Sequence, residues 1–139
     1  MKFDLSPIDV VEEISKSDFE QNYLIPRKPL VIKNMAHNWP AYEKWTMDYL
    51  KEVVGEKTVP LYDSAKADPC KPINASAAEM KFGDYIDMIK EIPTDLRIFL
   101  FDPIKFAPKL LEDYIAPKEL MGGFLDSYPN MFFGGKGSV

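Results

Sequence analysis

FEQNYLIPRKPLVIKNMAHNWPAYEKWTMDYLKEVVGEKTVPLY, residues 19–62, passes from helix words to strand words and back, and its order decides the fold class. Ser17, just upstream, is followed three positions later by Glu20. The pair reads as a capping box, so a short helix starts there and turns Phe19, Tyr23 and Leu24 toward a core. Pro26 and Pro29 end it. PLVIK, 29–33, is a short apolar run between turn signals, the pattern of a strand buried on both faces. NWPAYEKW bends the chain around Pro40. TMDYLKEVVG then predicts a helix with Thr46 as N-cap, Gly55 just past its end, and Met47, Leu50, Val53 and Val54 on one face. TVPLY, 58–62, is a second strand, confined by Pro60 to an edge or a bulge.

Downstream, Asp63 to Ala78 is rich in Ala, Asp, Pro, Lys and Ser and reads as a surface loop. MKFGDYIDMIKEI places Phe82, Tyr85, Ile86 and Ile89 at helical spacing. LRIFLFD, 96–102, is the strongest strand. PIKFAPKLLEDYI is a weaker helix broken at Pro108, GGFLDSYPN is loop, and Met131, Phe132 and Phe133 form a last strand running into Gly134 and Gly135. Four strands interleaved irregularly with four or five short helices predict an α+β protein rather than a doubly wound sheet.

Composition narrows the function. A chain of 139 residues, read as one domain over 1–139, can bury a core; its 46% hydrophobic and 28% charged residues are those of a globular protein. The apolar runs are too short to span a membrane, and the N-terminus carries acids where a signal peptide needs an apolar stretch, which predicts a cytoplasmic protein without a membrane partner. A net charge of −5 argues against nucleic acid. Cys70, the single cysteine, excludes an intrachain disulfide and reads as a bystander, and the NAS acceptor pattern at Asn74 reads as chance without an export signal.

Few residues carry recognisable chemistry. His37 is the only histidine, so a two-histidine iron site and an HExxH zinc site are excluded by count, and His37 itself reads as a turn residue. GGKG, 134–137, lacks the spacing of a Walker loop. The acid pairs Glu12/Glu13, Asp84/Asp87 and Glu112/Asp113 read as solvated helix faces, and Trp39 and Trp45 as core anchors around a proline turn.

The words KPLVI, WPAYEKWT, VPLY, MKFGDYI and RIFL, in this order, resemble the N-terminal part of the cupin-like, Jumonji C (JmjC)-related Fe(II)/2-oxoglutarate oxygenases, a group that includes the asparaginyl hydroxylase of hypoxia-inducible factor. The likeness runs from about Phe19 to Val139. It implies the first helices and strands of a double-stranded β-helix, with the barrel incomplete in this chain. In that family a segment like MFFGGKGSV leads into Thr-Pro-x-His-x-Asp, which holds two of three iron ligands. The resemblance therefore implies that these residues stop before the metal motif, with no catalytic or metal-binding residue of their own. Fe(II) and 2-oxoglutarate are cofactors expected of the intact protein, which the resemblance makes a protein hydroxylase. Phe99 falls where the asparaginyl hydroxylase carries a tyrosine whose hydroxyl contacts 2-oxoglutarate; phenylalanine cannot donate that bond. Strands left without partners predict a homo-oligomer. The alternative is a non-catalytic interaction or dimerisation module presenting Trp39, Tyr42, Trp45 and Tyr49.

Overall fold

A computed structural model describes residues 6–64, 70–72, 75–121 and 130–138. Asn74 and all but the last residue of GGFLDSYPN lie outside that range. In chain order the elements are β1 (Asp9–Val11), α1 (Lys16–Phe19) continuing into a wider π turn (Glu20–Leu24), β2 (Leu30–Ile32), α2 (Pro40–Lys44), α3 (Met47–Val54), β3 (Thr58–Leu61), β4 (Ala78–Lys81), α4 (Phe82–Glu91), β5 (Arg97–Phe101), α5 (Pro103–Phe106), a 3-10 turn (Pro108–Asp113), α6 (Lys118–Met121) and β6 (Met131–Gly134). The mixture is α+β, as the sequence predicts.

Among the described residues the strands form three two-stranded ribbons and no closed barrel. β1 and β2 are parallel, β3 and β4 antiparallel, and β5 and β6 antiparallel, with Ile98 opposite Phe133. Tyr62, just past β3, exchanges backbone hydrogen bonds with Arg97 of β5 at 2.9 and 3.0 Å. That single link sets the strands in the order β4, β3, β5, β6. Pro60 is tolerated inside β3 because its second edge is engaged only at Tyr62.

The core lies where α3 and α4 pack on these strands. Leu50 and Val54 from α3 meet Val59 and Leu61 from β3, then Phe82, Tyr85 and Ile86 from α4, Ile98 and Phe101 from β5, and Phe133 from β6. Thr46 caps α3 as expected, its hydroxyl accepting from the Tyr49 N–H at 3.1 Å. α4 presents the predicted stripe, but it starts later: Ala78–Lys81, read as loop and helix, is strand β4. The cross-strand pairing with β3 overrides the helical pattern until Phe82.

Several expectations are corrected. The N-cap of α1 is Ser15, which accepts from the Asp18 N–H at 3.1 Å, two residues before the expected Ser17. Both serines precede an acid at the same offset, and the sequence does not separate them. Phe19 and Tyr23 are half-buried and Leu24 is exposed, so this face meets a groove rather than the core. β2 is not buried on both faces: Val31 is 46% exposed, on the same open face of the ribbon as its register partner Val10 at 53%. Met47, placed on the inner face of α3, is exposed. The terminal strand is not left without a partner, since β6 pairs with β5 inside the chain; among the described residues only its outer edge lacks a strand.

Tyr85 ties the helix layer to the ribbon. Its single O–H is shared between the Leu96 carbonyl at 2.9 Å and the Phe133 carbonyl at 3.1 Å, and burial pushes its pKa up to about 12. A tyrosine raised above its ordinary value contributes stability that is complete below the unfolded pKa near 10 and lost as pH rises through 12. Tyr85→Phe should therefore cost about 1 kcal/mol at neutral pH, from the lost hydrogen bonds. Its stability should fall less than that of the parent chain between pH 10 and 12, as chemical denaturation across that range would show.

Candidate functional site

Strand alternation gives the β5–β6 ribbon two chemically different faces. Ile98 and Phe133, opposite each other, point into the core at 1% and 7% exposure. Phe132, next to Phe133, lies on the other face, and Phe99 stands at the register shift that β5 makes between Ile98 and Phe101. Phe132 is 74% exposed and Phe99 is half-buried. The Phe99 ring lies against that of the buried Tyr62, with ring centroids 3.9 Å apart and planes at 36°. Nearby Arg97 pairs with Asp95 at 3.4 Å, and Asp95 also accepts from the Ser64 N–H at 2.9 Å. The ribbon thus exposes Phe132, while the half-buried Phe99 lies against the buried Tyr62 ring beside an Arg97–Asp95 pair.

The turn beyond β6 closes against α4. A Cβ on Gly135 would sit 2.8 Å from the Ile89 Cβ, and the Lys136 carbonyl accepts from the Thr94 N–H at 3.0 Å. Gly137 takes φ +97°, which suits glycine. The GGKG segment is therefore a packed turn holding β6 in register, and no phosphate cradle is needed to explain its glycines.

The other singled-out residues are scattered. His37 is exposed in a turn, its ring 4.6 Å from that of Tyr42, which is itself exposed. Trp39 sits edge-on to Tyr114 at 5.7 Å. Trp45 and Tyr49 pack against the core. Cys70 is exposed. Asp113, read as a solvated face with Glu112, is 2% exposed: it accepts from Lys44 Nζ at 2.6 Å and from Trp45 Nε1 at 3.1 Å. The Lys44 hydrogen bond, joined by that from Trp45, holds its carboxyl below the ordinary range against the opposing effect of burial. The residue pins α2 to the 3-10 turn. Among the described residues no three of His, Cys, Asp and Glu come together in a way that could hold a metal ion. Nor is any helix among them long and apolar enough to cross a membrane.

The model of the cupin-like domain matches residues 16–99, which takes in α1 through the middle of β5. This chain belongs to the cupin-like domain family. The cupin-like chain is 34% identical over 118 residues to the lysine-specific demethylase JMJ21 of Arabidopsis thaliana, an alignment covering 83% of this chain and 11% of the relative. It is 35% identical over 72 residues to JmjC domain-containing protein E of Dictyostelium discoideum, covering 50% and 20%. It is 27% identical over 112 residues to the bifunctional arginine demethylase and lysyl-hydroxylase psr-1 of Caenorhabditis briggsae, covering 77% and 26%. The cupin-like chain thus spans between about a tenth and a quarter of the length of these relatives.

Proposed function

We propose that the cupin-like chain is the N-terminal section of a JmjC-type Fe(II)/2-oxoglutarate-dependent oxygenase of the cytoplasm that hydroxylates a protein, and that these 139 residues alone are inactive. In this reading β5 and β6 are strands of a double-stranded β-helix that sequence beyond Val139 completes. The observation that carries it is the family match ending in β5, whose partner strand β6 leaves Phe132 exposed. The relatives named as demethylases and a lysyl-hydroxylase support the reaction class. The described residues do not fit an iron centre, and no step of the reaction is assigned to them. Three ligands on one face of the metal are needed, and this chain has one histidine, exposed in a turn. The proposal assigns the ligands to a Thr-Pro-x-His-x-Asp continuation and a distal histidine.

The test is 2-oxoglutarate consumption by a protein that continues through those motifs. Within it Phe99→Tyr should tighten 2-oxoglutarate about tenfold, because a hydroxyl gains a bond to a carboxylate. Unchanged affinity by calorimetry would remove Phe99 from the cosubstrate position. No turnover and no 2-oxoglutarate binding would overturn the oxygenase reading.

One observation favours a second reading, a dimerisation module. Phe132 is 74% exposed on β6, whose outer edge has no strand among the described residues. Unpaired backbone beside an exposed aromatic recruits a second copy most simply as a two-fold pair.

A further inference from the structure

One concave surface has no lining residue from the β5–β6 ribbon, and nothing in the oxygenase reading uses it. It is a groove of about 570 Å³ between the α1 segment, β2 and the start of α6. Its size is that of a site for one small molecule. Leu30 and Ile32 share one face of β2 by alternation and line it, with Phe19, Leu24 and Leu120 around them. Two cations, Arg27 and Lys28, also line it.

The two cations are not equivalent. Lys28 Nζ is 2.5 Å from Asp9 Oδ2, the same oxygen that accepts from the Tyr23 hydroxyl at 3.1 Å, so its charge is already answered. Arg27 has no carboxylate at ion-pair distance among the described residues. It also sits at φ +57°, a left-handed conformation that an L side chain rarely adopts. The turn is closed around it by Arg27 N–H to the Leu24 carbonyl at 3.2 Å and Lys28 N–H to the Tyr23 carbonyl at 2.8 Å. Glycine would satisfy this turn without strain, yet the position holds a guanidinium on an apolar groove. Backbone strain kept at such a position motivates a functional reading of the side chain.

We propose that this groove binds a small apolar carboxylate, its tail against Leu30 and Ile32 and its charge on Arg27. One open cation matches one negative charge. The apolar lining takes an aliphatic or aromatic tail and offers nothing to the second carboxylate of a short diacid such as 2-oxoglutarate.

Decanoate, kept below its micelle concentration, is the probe, and calorimetry on the chain is the readout. Saturable binding of one decanoate per chain is expected, weakened about tenfold on shortening to octanoate, since each methylene contributes separately. Decanol, with the same tail and no charge, should bind about tenfold more weakly than decanoate. Arg27→Gly is the deciding variant, because it removes the guanidinium while relieving the left-handed backbone. Its melting temperature should be unchanged or higher, while decanoate falls to the affinity of decanol. Equal affinity of the acid and the alcohol, no effect of Arg27→Gly on decanoate, or no saturable binding would each overturn the proposal. Displacement of decanoate by 2-oxoglutarate would overturn it as well, since the groove would then accept a short diacid.

Discussion

Lysine in place of Phe133 is expected to unfold the chain, and lysine in place of Phe132, its immediate neighbour, is expected to leave the fold intact. Phe133 is 7% exposed, sits edge-on to Phe82 at 4.9 Å, and lies opposite Ile98. Deleting a buried aromatic ring costs about 3–5 kcal/mol, and placing an ammonium in the same space adds a desolvation penalty. That is a large part of the roughly 5–15 kcal/mol by which a domain is stable. Phe132 faces outward at 74% exposure, where a substitution changes stability by no more than about 0.5 kcal/mol. What Phe132→Lys should change is association, since a charge on an edge strand blocks pairing with a second copy. Circular-dichroism melts of both variants test the first statement, and light scattering after size exclusion the second. Equal destabilisation by the two lysines would mean that the register of β6 is wrong. A parent chain that stays monomeric at high micromolar concentration would remove the dimerisation reading.

Asp113→Ala is expected to be the next most damaging change, at about 2 kcal/mol or several degrees in melting temperature. The carboxylate is buried and serves two donors, so its loss strands the Trp45 indole N–H and frees α2 from the 3-10 turn. Most of Lys44 is in water and can be resolvated, which keeps the cost below that of a fully buried ion pair. The pH dependence has a definite sign. Hydrogen bonds from Lys44 and Trp45 depress the carboxyl below its ordinary value, so its contribution is complete above the unfolded pKa near 4 and lost as pH falls through the lower folded value. Asp113→Asn should therefore be less stable than the parent at neutral pH and lose less on acidification below pH 4. Denaturation curves at pH 7 and pH 3 would show it; parallel losses in both proteins would contradict it.

Local signals carried much of this fold. The Thr46 cap, the α4 stripe of Phe82, Tyr85 and Ile86, the RIFLF strand and the break at Pro108 each follow from spacing within a few residues, and each is where that spacing puts it. Apart from the Ser15 cap, where two local signals compete, the main misreadings depend on partners distant in sequence. AEMK is a strand because Thr58–Leu61 lies beside it. PLVIK is half exposed because the face that Val31 shares with Val10 of β1 is open. Asp113 is buried because α2, some 70 positions earlier, folds over it with Lys44 and Trp45. The Tyr62–Phe99 pair was equally hidden, since neither residue signals the other; alternation in RIFLF would put Phe99 and Phe101 on one face, whereas the register shift after Ile98 lets Phe101 join the core. Arg27 carried no signal in the sequence at all, because its left-handed backbone and its place on the groove are properties of the closed turn.

The most direct measurement of the central claim is a paired titration with Mn(II), a redox-inert stand-in for Fe(II), on this chain and on a protein continuing past residue 139 through the Thr-Pro-x-His-x-Asp and distal histidine motifs. The account predicts one tight Mn(II) per molecule in the longer protein, with 2-oxoglutarate binding strengthened once the metal is present, and only weak, non-saturating heats from the 139 residues. One tight metal ion on these 139 residues, or none on the longer protein, would contradict it.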